Sequence, residues 1–247
     1  MFNLVNFTPR DYQFSILETC KNNNTLVVLP TGMGKTAIAL LLGLERLNKF
    51  QNSKTLIISP TKPLCQQHAN TFKQHTNINE NEILLLTGAT SANKRAELWQ
   101  GAHVIIATPQ TIQKDIEAGR ISLKDFSMLC VDEAHRSRQN FANTHVTKAY
   151  FEHALNPRVL ALTASPGGTL DKIKDIMKNL NLEAVEIRSE QDKDVKPHIQ
   201  KREIEWINVE LPKELLEVHS LIKKIYLEKV KGLRPLGVTK PLNLINK

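Results

Sequence analysis

Short apolar runs alternate with helical patterns along most of the chain. The runs are continuous rather than alternating, which is typical of strands that are buried on both faces of a sheet. They predict strands at residues 25–29, 54–60, 83–88, 103–109, 128–132 and 159–163. The segments between them predict helices near residues 8–20, 37–44, 64–75, 94–99, 112–118 and 170–180. This alternation predicts an α/β fold with a doubly wound and mostly parallel sheet.

The pattern changes near residue 188, where a polar and charged segment begins. Residues 204–209 then alternate between apolar and polar side chains, as a half-exposed strand does. A helix is predicted from Leu211 to about Val230, because apolar side chains recur on one of its faces.

We therefore divide the chain into a sheet domain, residues 1–195, and a C-terminal extension of a connecting strand and a helix, residues 196–247. The last helix has no partner in the chain other than the sheet domain. We expect it to begin a further domain, and the chain to be part of a larger protein.

The composition favours a chain that works inside the cell. The net charge of +8 suits a binder of nucleic acid or nucleotides, although many soluble proteins are mildly basic. Cys20, Cys65 and Cys130 lie far apart in predicted core elements, which indicates neither a metal site nor a disulfide framework. The N-terminus does not resemble a secretion signal, and the longest apolar run is far short of the roughly 20 residues that span a bilayer. We expect a cytoplasmic location, at the nucleoid if the source is archaeal, and no membrane partner.

Residues 29–36 form a candidate phosphate-binding loop between a buried strand and a buried helix. Gly32 and Gly34 let the backbone curl so that several N–H groups and the helix N-terminus face one anion. Lys35 would reach the β- and γ-phosphates of ATP, and the Thr36 hydroxyl would ligate Mg²⁺. The match to the usual spacing is incomplete, since Leu29 stands at the first glycine position. The alternative is a glycine-containing turn before an ordinary helix.

Asp132-Glu133-Ala134-His135 follows a buried strand directly, so Asp132 is expected at the carboxyl edge of the sheet, where open α/β folds bind ligands. Asp132 would hold Mg²⁺, and Glu133 would orient and deprotonate the attacking water. His135 would link the nucleotide site to a neighbouring element. Taken alone, two adjacent carboxylates are more often a solvated turn, and the upstream phosphate loop is what favours the catalytic interpretation.

The phosphate loop, the Asp-Glu-Ala-His tetrad and Thr163-Ala164-Ser165 resemble motifs I, II and III of superfamily 2 helicases. This resemblance implies a RecA-like P-loop NTPase domain that uses ATP and Mg²⁺. It places the nucleotide contacts on the opening Pro9–Gln13 segment and on the loop; they are Arg10, Gln13, Pro30, Thr31, Gly32, Met33, Gly34, Lys35 and Thr36. Thr163 and Ser165 would couple hydrolysis to movement, although they would equally suit a satisfied strand end.

Five stretches together resemble the archaeal Hef and vertebrate FANCM group of helicases more closely. They are residues 60–64, 107–112, 118–123, 132–136 and 162–167. The resemblance covers nearly the whole chain, from about residue 5 to 235. Dicer-type and RNA-sensing helicases are near relatives of this group, so an RNA-directed ATPase stays open as an alternative.

The same resemblance assigns contacts with the nucleic-acid backbone to three segments at strand ends. They are Pro60, Thr61 and Lys62, with Gln67 and His68 nearby; Thr87 and Gly88; and Thr108, Pro109, Gln110 and Thr111. Short hydroxyls beside backbone N–H groups hold phosphates without reading bases. Each threonine would also suit a turn or a helix N-cap. Of the histidines, only His135 is assigned a function.

Motifs IV to VI, which the family carries on a second motor domain, are not found in these 247 residues. That domain supplies an arginine finger, so we expect this chain alone to bind nucleotide and to hydrolyse it slowly. Expected partners are forked, branched or single-stranded DNA and the second motor domain. The branched substrate rests on the resemblance alone. A non-catalytic nucleic-acid-binding module is a further alternative, against which the intact Lys35, Asp132 and Glu133 argue.

Overall fold

The computed structural model describes residues 1–137, 141–165, 170–199 and 206–232. The chain divides into two compact units, Met1–Ile199 and Gln200–Lys247. The sequence-based domain boundary between residues 195 and 196 stays a prediction, since these units are defined by packing alone.

The first unit is built on one sheet whose seven strands all run parallel. The strands are β1 Thr25–Val28, β2 Lys54–Ile58, β3 Ile83–Leu86, β4 Val104–Ala107, β5 Phe126–Val131, β6 Val159–Thr163 and β7 Ala184–Ile187. Their order across the sheet is β3-β4-β2-β5-β6-β1-β7. The predicted α/β fold with a doubly wound, mostly parallel sheet is thereby confirmed.

Helices cover both faces of this sheet. They are α1 Asp11–Asn22, α2 Lys35–Lys49, α3 Lys62–His75, α4 Ala92–Trp99, α5 Pro109–Glu117, α6 Ala142–His153 and α7 Leu170–Asn179. One apolar cluster joins α1, α2 and α3 to the sheet and includes Ile38 and Phe72. A second cluster joins α4 to α7 to the other face and includes Trp99 and Tyr150. Burial on both faces explains why the strand sequences are apolar throughout.

The second unit contains α8, Lys213–Gly232. This element matches the predicted helical extension. The predicted strand at residues 204–209 is wrong for residues 206–209, which have no regular structure and are exposed. Its first two positions lie outside the described residues. Alternation of apolar and polar side chains does not make a strand where no neighbouring strand supplies hydrogen bonds.

Two elements of the first unit are absent from the prediction, β7 and α6. Strand β7 lies at the edge of the sheet, beside β1, and its residues are only partly buried. It therefore lacks the continuous apolar run on which the other strands were found. The buried side of α6 mixes apolar Val146 and Tyr150 with polar Asn143 and Thr147, which weakens the helical pattern.

The parallel sheet decides where the functional residues lie. Because β1, β2, β4, β5 and β6 all point the same way, the loops that follow them meet at one edge. These loops hold the phosphate-loop residues, Pro60, Thr108, Asp132 and Ser165. None of the described helices is long and apolar enough to cross a membrane.

Candidate nucleotide and nucleic-acid site

The loop between β1 and α2 has the backbone of an anion cradle. Gly32 and Gly34 have φ angles of +85° and +77°, which L side chains rarely adopt. A Cβ atom at Gly34 would also collide with the side-chain amide of Gln13. Helix α2 begins at Lys35, and its first turn carries no acidic side chain. The first N–H groups of a helix have no partner within it, so this end of α2 favours an anion.

Lys35 is half-buried beside this loop, and its ammonium donates a hydrogen bond to the Leu29 carbonyl over 3.1 Å. Burial lowers the pKa of Lys35, while the nearby carboxylates of Glu133 and Asp132 act in the opposite direction. The lysine therefore lies near both carboxylates. Thr36 follows in the first turn of α2 and is also half-buried.

Helix α1 is attached to the phosphate loop by side chains. The Tyr12 hydroxyl donates a hydrogen bond to the Met33 carbonyl at 2.6 Å, and it accepts one from Arg10 Nη1 at 3.0 Å. Gln13 is buried against Gly34, and its side-chain carbonyl accepts the Arg10 backbone N–H at 2.9 Å. Arg10 and Gln13 thus lie next to the loop, as expected. The contribution of the Tyr12 hydroxyl is not apparent from sequence, where Tyr12 counts only as an apolar position.

Asp132 follows β5 directly and is only 6% exposed. Its Oδ2 accepts hydrogen bonds from Ser59 Oγ and His68 Nε2, both at 3.0 Å, and its Oδ1 accepts the Glu133 backbone N–H at 2.9 Å. Burial raises the pKa of Asp132, but the contact with His68, helped by Ser59 and the Glu133 amide, outweighs it and holds the pKa below its usual value. The carboxylate is therefore charged at neutral pH.

Glu133 has a left-handed backbone conformation, with φ +52°. This conformation costs a non-glycine residue roughly 1–3 kcal/mol of free energy. Such a conformation persists where the surrounding contacts enforce it. The Glu133 N–H bond to Asp132 is such a contact, and Glu133 Oε2 also lies 3.2 Å from His135 Nδ1.

His135 connects the ends of β5 and β6. Its Nδ1 lies 3.1 Å from Thr163 Oγ1, whose hydroxyl also donates to the Ser165 carbonyl at 3.0 Å. The same hydroxyl accepts the Ser165 N–H at 3.3 Å. The Asp-Glu-Ala-His segment and the Thr163–Ser165 segment are therefore in direct contact.

The three segments assigned to the nucleic-acid backbone lie at the same sheet edge, after β2, β3 and β4. Thr61, Lys62, Gly88 and Gln110 are exposed there. By contrast, Thr87, Pro109 and Thr111 are buried, and Pro60 and Thr108 are half-buried. The Thr111 hydroxyl lies 2.8 Å from that of Thr108, so part of its bonding capacity is used inside the protein.

A buried ion-pair network joins two of these segments. Arg95 of α4 contacts both oxygens of Asp115 in α5, at 2.5 Å and 2.7 Å, and Arg120 contacts Asp115 at 2.9 Å. Arg95 also donates to the Thr90 carbonyl. The network fixes the loop after β3 against the helix that begins at Pro109. No sequence pattern indicated this pairing.

The nucleotide site suits a nucleoside triphosphate with Mg²⁺. The glycine backbone leaves room where a Cβ would clash, the helix end and Lys35 supply positive charge, and Thr36 and Asp132 offer the oxygen ligands that Mg²⁺ prefers. Among the described residues, no three His, Cys, Asp or Glu side chains are grouped as a metal cage. Mg²⁺ commonly binds through one or two carboxylates together with substrate phosphates, which fits this arrangement.

Residues 10–173 match the family model described as DEAD/DEAH box helicase. The chain belongs to the DEAD/DEAH box helicase family. The matched segment begins at Arg10 and ends after Ser165, so it contains the nucleotide site and all three segments assigned to the nucleic-acid backbone.

Individual relatives in the family are similar to most of this chain. A protein of Methanocaldococcus jannaschii, whose name describes an ATP-dependent RNA helicase, is 43% identical over 229 residues, which cover 93% of this chain and 29% of that protein. The ATP-dependent DNA helicase Mph1 of Neurospora crassa is 36% identical over 215 residues, which cover 87% of this chain and 18% of that protein. The chain spans less than a third of the length of these two relatives.

The crystal structure of the Pyrococcus furiosus Hef helicase domain resembles this helicase over most of its length. The TM-score is 0.77 at 42% sequence identity, with 95% of this chain and 50% of the other chain covered. The resemblance to superfamily 2 helicases of the Hef and FANCM group is thereby confirmed, as is the RecA-like fold. The individual roles given to the site residues stay predictions.

Sequence reasoning missed one residue of the candidate site, His68, which contacts Asp132. It was noted only as part of a segment near the nucleic acid, and no role was given to it. A signal was present, because Cys65, His68, Ala69 and Phe72 form the buried stripe of α3. A polar side chain on the apolar stripe of a helix calls for a partner in the core.

Proposed function

We propose that the chain is the first motor domain of an ATP-dependent helicase or translocase that acts on forked or branched DNA, together with the start of an insertion domain. One arrangement carries this proposal. Lys35 of the phosphate loop lies close enough to Asp132 and Glu133 to be influenced by their charges, and His135 Nδ1 of the same turn lies 3.1 Å from Thr163 Oγ1 at the end of the next strand. This arrangement would link a nucleotide site to the end of β6 through the contact between His135 and Thr163.

In this proposal, bound ATP supplies the free energy of phosphoryl cleavage, and Mg²⁺ neutralises its phosphate oxygens. The backbone N–H groups at Gly32 and Gly34 and the Lys35 ammonium hold the phosphates. Thr36 and Asp132 hold the metal ion. Glu133 orients the attacking water and takes its proton.

Movement is proposed to begin at the His135–Thr163 contact. Glu133 Oε2 and Thr163 Oγ1 lie 3.2 Å and 3.1 Å from the same atom, His135 Nδ1, so a change at Glu133 alters the contact that His135 makes with Thr163. Thr163 in turn is bonded to Ser165, which starts the segment after β6. This chain of contacts is a physical route from the nucleotide site to a loop at the edge of the sheet.

The nucleic acid is proposed to lie across the exposed residues Thr61, Lys62, Gly88 and Gln110. Hydroxyl, ammonium and backbone N–H groups at strand ends bind phosphates without reading bases, so strand shape rather than sequence decides affinity. The net charge of +8 supports such binding. The proposed location is the cytoplasm, at the nucleoid if the source is archaeal.

An RNA-directed ATPase is the second candidate, since the similar protein of Methanocaldococcus jannaschii is named as an RNA helicase. The Mph1 relative is named as a DNA helicase, which favours the first candidate, a motor domain that acts on DNA. The two are separated by ATPase stimulation in a longer chain that carries both motor domains. Forked DNA is expected to stimulate turnover more than double-stranded RNA does. Stimulation by RNA alone would reject the DNA proposal.

Two substitutions in the same longer chain test the assigned roles. Lys35→Ala is expected to weaken nucleotide binding and abolish turnover, whereas Glu133→Gln is expected to keep binding and stop hydrolysis. Equal turnover in the Glu133→Gln variant and the parent would show that Glu133 is not the base. DNA binding that is independent of ATP and unchanged by Lys35→Ala would instead support a non-catalytic binding module.

A further inference from the structure

His68 is a buried side chain whose polar contact lies in the nucleotide site rather than on the nucleic-acid surface. It is 3% exposed, and its Nε2 lies 3.0 Å from Asp132 Oδ2. Its other ring nitrogen, Nδ1, is buried and has no hydrogen-bond partner among the described residues. The contact with Asp132 is thus the one polar interaction that this ring makes in the described structure.

The two carboxylate oxygens of Asp132 accept different numbers of hydrogen bonds. A carboxylate has about four acceptor positions, two on each oxygen. Ser59 Oγ and His68 Nε2 both bond to Oδ2, whereas the Glu133 N–H is the one donor to Oδ1 among the described residues. The acceptor capacity that remains is therefore on Oδ1.

We propose that His68 is a positioning residue for magnesium binding. Together with Ser59 it occupies Oδ2 and holds the carboxylate plane, so that Oδ1 is the oxygen presented to the metal ion or its bound water. Side chains behind a metal ligand commonly fix its orientation in this way. The inference rests on the proposed function, because it needs Asp132 to be a metal ligand.

His68 lies on the same helix, α3, that starts at the segment assigned to the nucleic acid. Helix α3 begins at Lys62, directly after the exposed Thr61, and His68 lies less than two turns along it. A helix moves as a unit, so nucleic acid bound at Thr61 and Lys62 and a metal ion at Asp132 would act on the same rigid element. His68 is the described side chain of α3 that touches Asp132.

The test measures binding of a fluorescent, non-hydrolysable ATP analogue to this chain, in EDTA and in saturating Mg²⁺. In the parent, Mg²⁺ is expected to increase affinity. In His68→Leu, which removes the donor, that increase is expected to fall about tenfold, as is typical when a partner behind a metal ligand is lost. Affinity in EDTA is expected to stay unchanged, which a general loss of structure would not allow.

Two conservative variants separate positioning from packing. His68→Gln places an amide nitrogen about where Nε2 lies and is expected to restore most of the magnesium effect. His68→Asn is polar but too short to reach Oδ2, and it is expected to behave like the leucine variant. If the leucine variant does not fold, the difference between these two variants decides the matter.

His75→Leu is the matched control. His75 lies on the same helix, also has a buried Nδ1 without a described partner, and packs on Phe7 away from the site. It should bind the analogue as the parent does. A normal magnesium effect in folded His68→Leu, or in His68→Asn, would overturn the inference. If Mg²⁺ does not affect binding to the parent either, the proposed function itself fails.

Discussion

At the scale of single residues, the nucleotide site holds groups in costly conformations and environments. Gly34 and Glu133 have positive φ angles, and Asp132 is a charged group that is almost fully buried. Glycine tolerates its positive φ, whereas the costs at Glu133 and Asp132 are offset by specific contacts: the Glu133 N–H bonds to Asp132 Oδ1, and Ser59 and His68 bond to Asp132 Oδ2. Strain of this kind persists where the surroundings enforce one geometry, which is what a binding site requires.

Gly34→Ala tests the backbone of the phosphate loop. An L residue in the left-handed region costs about 1–2 kcal/mol, and here the new Cβ also meets Gln13. We expect a lower melting temperature and at least about tenfold weaker nucleotide binding, since about 1.4 kcal/mol corresponds to a factor of ten. Gly101→Ala is the control, because its Cβ would meet open space. Parent-like binding by Gly34→Ala would mean that the loop does not need this conformation.

Asp115 makes stability depend on pH. Burial raises the pKa of Asp115, but hydrogen bonds and attraction from Arg95 and Arg120 outweigh it and hold the pKa below its usual value. A depressed pKa in the folded state means that the network stabilises the fold fully above the unfolded pKa, near 4. This contribution is lost as the pH falls through the folded pKa.

Arg95→Met should therefore destabilise the fold at pH 7 by roughly 3 kcal/mol, because it leaves a buried carboxylate with one weaker partner. The difference from the parent should shrink as the pH falls below 4, because the contribution of the charged Asp115 in the parent is lost as the pH falls through its folded pKa. Urea unfolding across pH 3 to 7 measures both effects. Lys73→Met, which removes an exposed ion pair with Glu80, should cost at most about 1 kcal/mol. A pH-independent difference would exclude the ionic explanation.

At the scale of elements, α1 and the phosphate loop form one unit, although they are separated by β1. The Tyr12 hydroxyl bonds to the Met33 carbonyl, and Gln13 packs on Gly34. The loop between β1 and α2 is therefore supported from outside as well as by its own turn. This explains how residues of α1 take part in a site that is built on a different strand.

Tyr12→Phe tests this support. The ring is fully buried and should stay in place, but the Met33 carbonyl loses its donor. We expect a stability loss of about 1 kcal/mol and a several-fold loss of nucleotide affinity. Tyr150→Phe is the control, because its buried hydroxyl bonds to the Arg158 backbone on the other face of the sheet. It should lower stability to a similar extent and leave nucleotide binding unchanged; equal effects on binding would argue against a specific role of Tyr12.

At the scale of the whole molecule, the nucleotide site lies at the edge of the sheet where the parallel strands end. The proposed second motor domain would complete it with an arginine. In related P-loop NTPases such an arginine raises the rate by about 10³ to 10⁵. The chain spans 29% and 18% of two relatives, which is consistent with a further part of the motor lying outside these residues.

We accordingly expect this chain alone to bind nucleotide but to hydrolyse it near the background rate, with or without forked DNA. A longer chain with the second motor domain should show DNA-stimulated turnover. Steady-state phosphate release from both chains, measured side by side, makes the comparison. Strong stimulated turnover by the short chain would mean that its site is completed in another way, such as by self-association.

Local patterns were enough to predict the fold class, the phosphate loop and the position of Asp132 at a strand end. Buried parallel strands leave continuous apolar runs, and glycines between a strand and a helix predict a loop whose N–H groups can hold an anion. The edge strand β7 and helix α6 left no such pattern, because the first is partly exposed and the second has a mixed buried side.

Only the tertiary structure decided which side chains meet. The order of the strands places β2 beside β5, and this brings His68 to Asp132 across a separation of 64 residues. Arg95 and Asp115 pair across 20 residues for a similar reason, since their helices follow neighbouring strands. Sequence determines which segments become buried, through local periodicity. Contacts between distant segments depend on strand order and register, which periodicity does not encode.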